Sequence, residues 1–130
     1  MLKVSDALNI DELRRQAERR LPAFLFRYVE RRAGNGMGVV RNVDGFGRFQ
    51  MVPHALTRIA PLDTGRTIFG RRYDLPFGIS AVGGLGMFWP EAETHLAAVA
   101  RDFKSPFMVS GVSTQSMETI AHIAPGQVWS

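Results

Sequence analysis

Apolar positions change their spacing along this chain, and the change marks where its organisation shifts. Near the start, Ile10, Leu13 and Ala17 recur at helical intervals while arginine and glutamate fill the opposite face. That predicts an amphipathic helix opened by the capping pair Asn9 and Glu12 and ending near Arg20. Pro22 opens a second predicted helix, in which Ala23, Phe24, Leu25, Phe26, Tyr28 and Val29 form an apolar run wide enough to be packed on most sides. Tyr28 is the only residue of that run with a chemical handle. Ala33 to Gly38 predicts a flexible turn, with Asn35 and Gly36 as its strongest signal. From Val39 to Phe49, Gly45 and Gly47 interrupt a would-be helix, so only a compact connection is expected. Pro53 and Pro61 punctuate extended pieces, and Thr67 to Tyr73 predicts a small hairpin turning at Gly70 and covering one end of the next segment of chain.

After Asp74 the pattern is different. Leu75 to Val82 is largely apolar without polar alternation, which predicts a parallel strand buried on both faces. Gly83, Gly84 and Gly86 end it in a loop that lets backbone approach a planar or anionic ligand. Pro90 with Glu91 and Glu93 predicts the first turn of a helix running to about Phe103, with Leu96, Val99, Ala100 and Phe103 facing the sheet. The unit recurs: Pro76 to Val82 matches Pro106 to Val112 thirty residues on. Ser113 or Thr114 is expected to cap the next helix, with Met117, Ile120 and Ala121 inward. A third strand is expected at Gln127 to Ser130, with Val128 and Trp129 facing no neighbour. The period fits a (β/α)8 barrel, which has roughly 31 residues per unit. The expected fold is therefore α/β: residues 74–130 as two β/α units and the start of strand three of an incomplete TIM barrel, and residues 1–73 as preceding helices and capping hairpin.

Composition narrows the function only by exclusion. With 130 residues, 45% hydrophobic and 22% charged, the chain is of ordinary globular make-up. It has no cysteine, hence no disulfide, thiolate catalysis or thiolate–metal site. No apolar run reaches the roughly 20 residues of a spanning helix, and the start lacks a signal peptide's apolar centre; a cytoplasmic location is expected. Net charge is +4, and fourteen of the sixteen basic residues are arginine, eight of them before position 42. Interleaved Glu12, Glu18 and Glu30, with no aromatic platform, favour a solvated helix face or a subunit contact over a nucleic-acid site. His54, His95 and His122 fall at no strand's C-terminal end, and Lys104 precedes the second strand, at the wrong end for catalysis.

In order, LPAFLFRYVERRAGNG, RN, LTRIAPLD, TIFG, LPFGISAVGGLGMFWPEAE and FMVSGVSTQSMETIA resemble the N-terminal third of the FMN-dependent 2-hydroxy-acid dehydrogenases and oxidases, the family of glycolate and lactate oxidases and mandelate dehydrogenase. The resemblance implies an FMN-binding TIM barrel that oxidises a small 2-hydroxy acid to the 2-oxo acid, as a homo-oligomer, generally a tetramer. It leaves membrane association open. By resemblance, Tyr28 helps hold the substrate carboxylate; read from the residues alone, a core tyrosine with a satisfied hydroxyl serves equally. Ala81, Val82 and Gly83 match the first-strand tripeptide lying against the flavin, with Ala-Val in place of the usual Pro-Thr. Ser110 matches the second-strand serine that hydrogen-bonds the flavin ring. Residues 31–35 replace two glycines of the family turn by Arg31 and Arg32 and lack both of its acids, and Val112 stands where an aromatic often follows the serine. The family's histidine, arginines and lysine belong to later strands, so no catalytic residue is expected in this chain. It reads as a fragment of such an enzyme, inactive alone, or as a partial-barrel remnant or binding module; a basic nucleic-acid or membrane-surface binder is the weaker third reading.

Overall fold

A computed structural model describes residues 6–32, 34–56 and 61–130. Part of the turn at Ala33, and Thr57 to Ala60 of the LTRIAPLD segment, lie outside the described residues. The chain divides into two compact units, residues 1–58 and 59–130.

The first unit is helical. In α1 (Ile10–Arg20), Asn9 Oδ1 accepts from the Glu12 N–H at 2.9 Å, as the capping pair predicts, while the Glu12 carboxylate reaches one residue past the cap and accepts from the Leu8 N–H. Acidic Asp11 and Glu12 in its first turn and Arg19 and Arg20 in its last suit the helix dipole. Proline 22 is the N-cap of α2 (Ala23–Glu30). The expected all-round packing of α2 is not what forms: Leu25 and Phe26 are half-buried, but Phe24, Tyr28 and Val29 are exposed. Six of the eight residues of α2 are apolar or aromatic and spread around the helix, yet among the described residues only Leu25 and Phe26 are even half-buried. The expected connection from Val39 is instead α3 (Met37–Phe46). Gly36, at φ 77°, starts it with Asn35 Oδ1 accepting from the Met37 N–H, and the helix runs through Gly38 and Gly45 because an interior glycine costs only about 1 kcal/mol.

The second unit opens with the predicted hairpin, β1 (Arg66–Ile68) and β2 (Arg71–Tyr73), turning at Phe69 and Gly70. It packs with residues 59–130, although the sequence pattern groups it with the preceding helices. The predicted strand Leu75–Val82 contracts to one parallel bridge, Ile79 to Phe107. The Ile79 N–H donates to Pro106 O and its carbonyl accepts from the Met108 N–H, so its direction beside β3 (Phe107–Met108) is as expected. Strand β4 (Val128–Trp129) pairs in parallel on the far side of β3. The order is thus first strand, β3, β4, each new strand beside the last.

Between the strands run α4 (Ala92–Asp102) and α5 (Met117–Ile123), which pack on each other. Ala97 and Ala100 of α4 join Ile120, Ala124, Phe107 and Val109 in one buried cluster. Helix α4 begins two residues later than expected, because Glu91 takes the left-handed φ of 57° and becomes the N-cap, leaving Pro90 outside. Its inward stripe is rotated: Glu93, Ala97 and Ala100 are buried, Leu96 packs at the edge, and Val99 and Phe103 are exposed. In α5 the cap is Ser116, whose Oγ accepts from the Thr119 N–H, rather than Ser113 or Thr114, and Ile120 and Ile123 turn inward while Met117 and Ala121 do not.

Nor does Trp129 lack a neighbour. Its indole Nε1–H donates to the Tyr73 hydroxyl at 2.9 Å, and its ring lies 5.4 Å from that of Phe69. The hairpin thereby covers the end where the strands begin, aided by the Asp74 N–H to Lys104 O bond and by Arg71 donating to Pro125 O.

Candidate functional site

At the opposite end, where the strands finish, Ala81, Val82, Gly83 and Ser110 come together. The backbone of Ala81, Val82 and Gly83 makes no hydrogen bond to any described residue, and all three residues are exposed. Amide groups left outside a ladder at a strand end need another polar partner when something covers them. The next residue, Gly84, at φ 66°, donates its N–H to Val112 O at 3.0 Å, tying the first strand's end to the second's.

The Ser110 side chain stands directly beside Gly83: a methyl placed on Gly83 would lie 3.2 Å from Ser110 Oγ and would collide with Val112 Cγ2. Glycine is required there by Val112 itself. Ser110 Oγ accepts from the Val112 N–H at 3.2 Å, which leaves its own hydroxyl proton to donate outward. A rim of open backbone amides beside a serine hydroxyl fits a flat ring carrying both donors and acceptors along its edge. The flavin of FMN is such a ring, and Ala81, Val82, Gly83 and Ser110 would hold it, one by its hydroxyl and three by their main chain.

Tyr28 belongs to the first unit, on α2. It is 68% exposed, so the core-tyrosine alternative does not describe it, and Ala23, Phe24, Arg27 and Arg31 line an open hollow with it. Lys104, three residues before β3, pairs with Asp74 at 3.3 Å, away from the strand ends that carry Ser110. His95 and His122 are exposed on α4 and α5.

One group was missed in the sequence. Glu93 is 2% exposed and has no ion-pair partner among the described residues. Its Oε1 accepts from the Thr114 N–H at 3.0 Å and from Thr114 Oγ1 at 2.8 Å, with Ser113 Oγ at 3.5 Å. Burial pushes this carboxyl up, but the N–H groups of Thr114 and of Glu93 itself, with the Thr114 and Ser113 hydroxyls, outweigh it and hold the group below the usual carboxylate range. The signal was present: Glu93, Ala97 and Ala100 share one helical stripe, so a glutamate in the first turn also sits on the buried face.

Parallel β/α units with polar main chain exposed at their C-terminal ends make this an α/β architecture of the kind whose sites lie at those ends. The chain belongs to the FMN-dependent dehydrogenase family, whose model matches residues 17–130. It is 32% identical over 118 residues to an L-lactate dehydrogenase of Alcaligenes faecalis, covering 91% of this chain and 31% of that one. Among solved structures, it resembles a soluble mutant of the membrane-associated (S)-mandelate dehydrogenase from Pseudomonas putida, with TM-score 0.83, 30% identity, and coverage of 93% of this chain and 35% of that one. It also resembles a mandelate oxidase mutant with a monooxide FMN adduct, with TM-score 0.80, 30% identity, and coverage of 91% and 37%. The chain spans about a third of the length of the relatives it matches. No helix among the described residues is long and apolar enough to cross a membrane.

Proposed function

We propose that this chain supplies the first two β/α units and the opening of the third strand of a (β/α)8 barrel, and that the complete enzyme uses FMN to oxidise a small 2-hydroxy acid to its 2-oxo acid. The observation that carries this is the juxtaposition of the open backbone at Ala81 to Gly83 with the Ser110 hydroxyl on neighbouring parallel strands. Consecutive strands added on one side, with α4 packed on α5, support the winding of a barrel. An apolar hollow of about 320 Å3 along the outer edge of the first strand, lined by Leu75, Phe77, Ile79, Val99 and Phe103, is where the barrel's last unit would close.

Bound FMN supplies the two-electron acceptor for the alcohol carbon. In this reading Ser110 donates its hydroxyl proton to a ring heteroatom, the main chain of Ala81, Val82 and Gly83 fixes the ring's plane, and Tyr28 donates to the substrate carboxylate. The base, the carboxylate-binding arginines and the cation beside the flavin come from the other units, so the 130-residue chain does not turn over lactate or mandelate. On function we divide the chain at Tyr73 and Asp74, since the flavin residues come after that point. We further read the enzyme as a cytoplasmic homo-oligomer.

Titrating FMN into the chain and into Ser110→Ala tests the site. Loss of one neutral hydrogen bond costs about 0.5–1.5 kcal/mol, so affinity should fall roughly three- to tenfold with the far-UV spectrum unchanged. Equal affinity of the two proteins would remove Ser110 from the site.

A further inference from the structure

Thr114 lies at the meeting point of the two loops that carry the flavin-facing groups. The glycine loop leans on it: a methyl on Gly86 would collide with Thr114 Oγ1 and lie 2.9 Å from Thr114 Cβ. On the other side, the turn after the second strand is closed by the Ser113 N–H to Ser110 O bond at 3.0 Å and by Ser113 Oγ accepting from the Gln115 N–H. Thr114 itself is gripped from below by the carboxylate of Glu93, its hydroxyl within 2.8 and 2.9 Å of the two oxygens and its N–H at 3.0 Å.

We propose that Glu93 is a positioning residue: through Thr114 it holds the turn carrying Ser110 in register with the Gly83–Gly86 loop, so that the serine hydroxyl and the open backbone face one ligand. The flavin identity of that ligand rests on the proposed function; the clamp does not. A carboxylate suits the place because two acceptor oxygens meet two donors on one residue, and because Glu93 is the second residue of α4, where the helix's positive end favours an anion. A core position filled for packing alone would take an apolar side chain, since burying an unpaired carboxylate is costly. What Glu93 adds is direction. It fixes the angle at which a loop thirty residues from the first one leaves its strand.

Amide hydrogen exchange on the 130-residue chain tests the clamp without any cofactor. Glu93→Ala should speed exchange at Gly84 and Thr114 by roughly tenfold or more, because the Thr114 N–H loses its acceptor and the Gly84 to Val112 bond loses its support, while Phe107 and Met108 in β3 keep their protection. Glu93→Gln should recover most of it: one oxygen still accepts from the Thr114 N–H, and the threonine hydroxyl can turn to accept from the new amide. It also carries the test if the alanine variant does not fold, with local exchange roughly threefold faster expected. Unchanged exchange in both variants, or an equal rise across all of residues 74–130, overturns the proposal. A parallel FMN titration by fluorescence quenching separates the two ideas. If the parent chain binds no FMN, the flavin reading falls and the exchange data still decide the clamp. If the parent binds FMN, Glu93→Ala should weaken binding with loosened loops and Ser110→Ala should weaken it with tight ones; loosened loops with full FMN affinity would overturn the positioning role.

Discussion

The helices of residues 6–56 and the β/α repeat of residues 61–130 are built from equally apolar sequence, yet only the second makes a core. Not one residue of α1, α2 or α3 is buried, whereas Ala97, Ala100, Phe107, Ile120 and Ala124 are almost wholly so. The difference lies in what the apolar positions meet. In α1 local devices suffice to shape a helix: the Asn9 cap, acids first and arginines last. In the repeat, strands force the chain back beside itself every thirty residues, and small alanines let α4 and α5 approach closely. Secondary structure arises from local sequence in both units; burial arises where strands gather the helices over them, and among the described residues strands occur only in the second unit.

The sharpest way to break this contrast is to remove bulk from each unit. Ile120→Ala leaves a cavity in the cluster around Ala97 and Phe107 and should destabilise residues 59–130 by about 2–5 kcal/mol, read by denaturant unfolding. Phe24→Ala removes a larger side chain, but one 71% exposed, and should change stability by less than about 0.5 kcal/mol. Comparable losses would mean that α2 is covered in solution, as a subunit contact would cover it.

A smaller effect is expected at the hairpin. Tyr73→Phe keeps the buried ring but leaves the Trp129 indole N–H without its acceptor, a cost of about 1–3 kcal/mol. Tyr73→Phe matching the parent's midpoint would show that water replaces the hydroxyl and that the hairpin does not seal β4.

Charge gives the third contrast, and here pH is the probe. Because folding lowers the Glu93 pKa below its ordinary 4.5, its contribution is complete above that value and is lost as pH falls through the folded pKa. The parent should therefore keep its stability from neutral pH down to about 4.5 and lose it below, and Glu93→Gln should flatten that acid limb. An acid limb unchanged by the substitution would assign the loss to other carboxylates, such as Asp63 beside Arg72.

Much of this was legible in the residues. The thirty-residue match between Pro76–Val82 and Pro106–Val112 located both strand positions, and with them the ends at which Gly83 and Ser110 stand side by side. What was not legible was rotation and extent. Whether α4 presents Val99 or Ala97 inward differs by half a turn, and Glu91 taking a left-handed φ sets that phase in a way no apolar count reveals. The strand at Leu75–Val82 shrank because its length depends on neighbours: Ile79 pairs with Phe107, while the backbone beyond Ser80 stays open at the site. Trp129 found Tyr73 and Phe69 because the hairpin folds under a strand that comes more than fifty residues later in the chain, a contact outside any local pattern.

The smallest effect belongs to the best-formed ion pair. Arg14 grips Glu30 with two bonds, Nε to Oε1 at 2.8 Å and Nη2 to Oε2 at 2.7 Å, joining α1 to α2. The pairing raises the arginine and lowers the glutamate, each first through the shared hydrogen bond, yet the side chains are 47% and 36% exposed. Water and salt already serve such groups, and ordering two long side chains offsets most of the attraction. Glu30→Gln at physiological ionic strength should leave the unfolding midpoint and helix content unchanged within error, with a slight loss emerging only at low salt as screening weakens. Glu93 needs no guanidinium and is worth more because water is excluded from it; Arg14 and Glu30 have an ideal partner and are worth less because water is not. Were Glu30→Gln to destabilise the chain at high salt as strongly as Tyr73→Phe, the helices of the first unit would have to be shielded in solution, and the contrast between the two units would be a property of the lone chain rather than of the assembled protein.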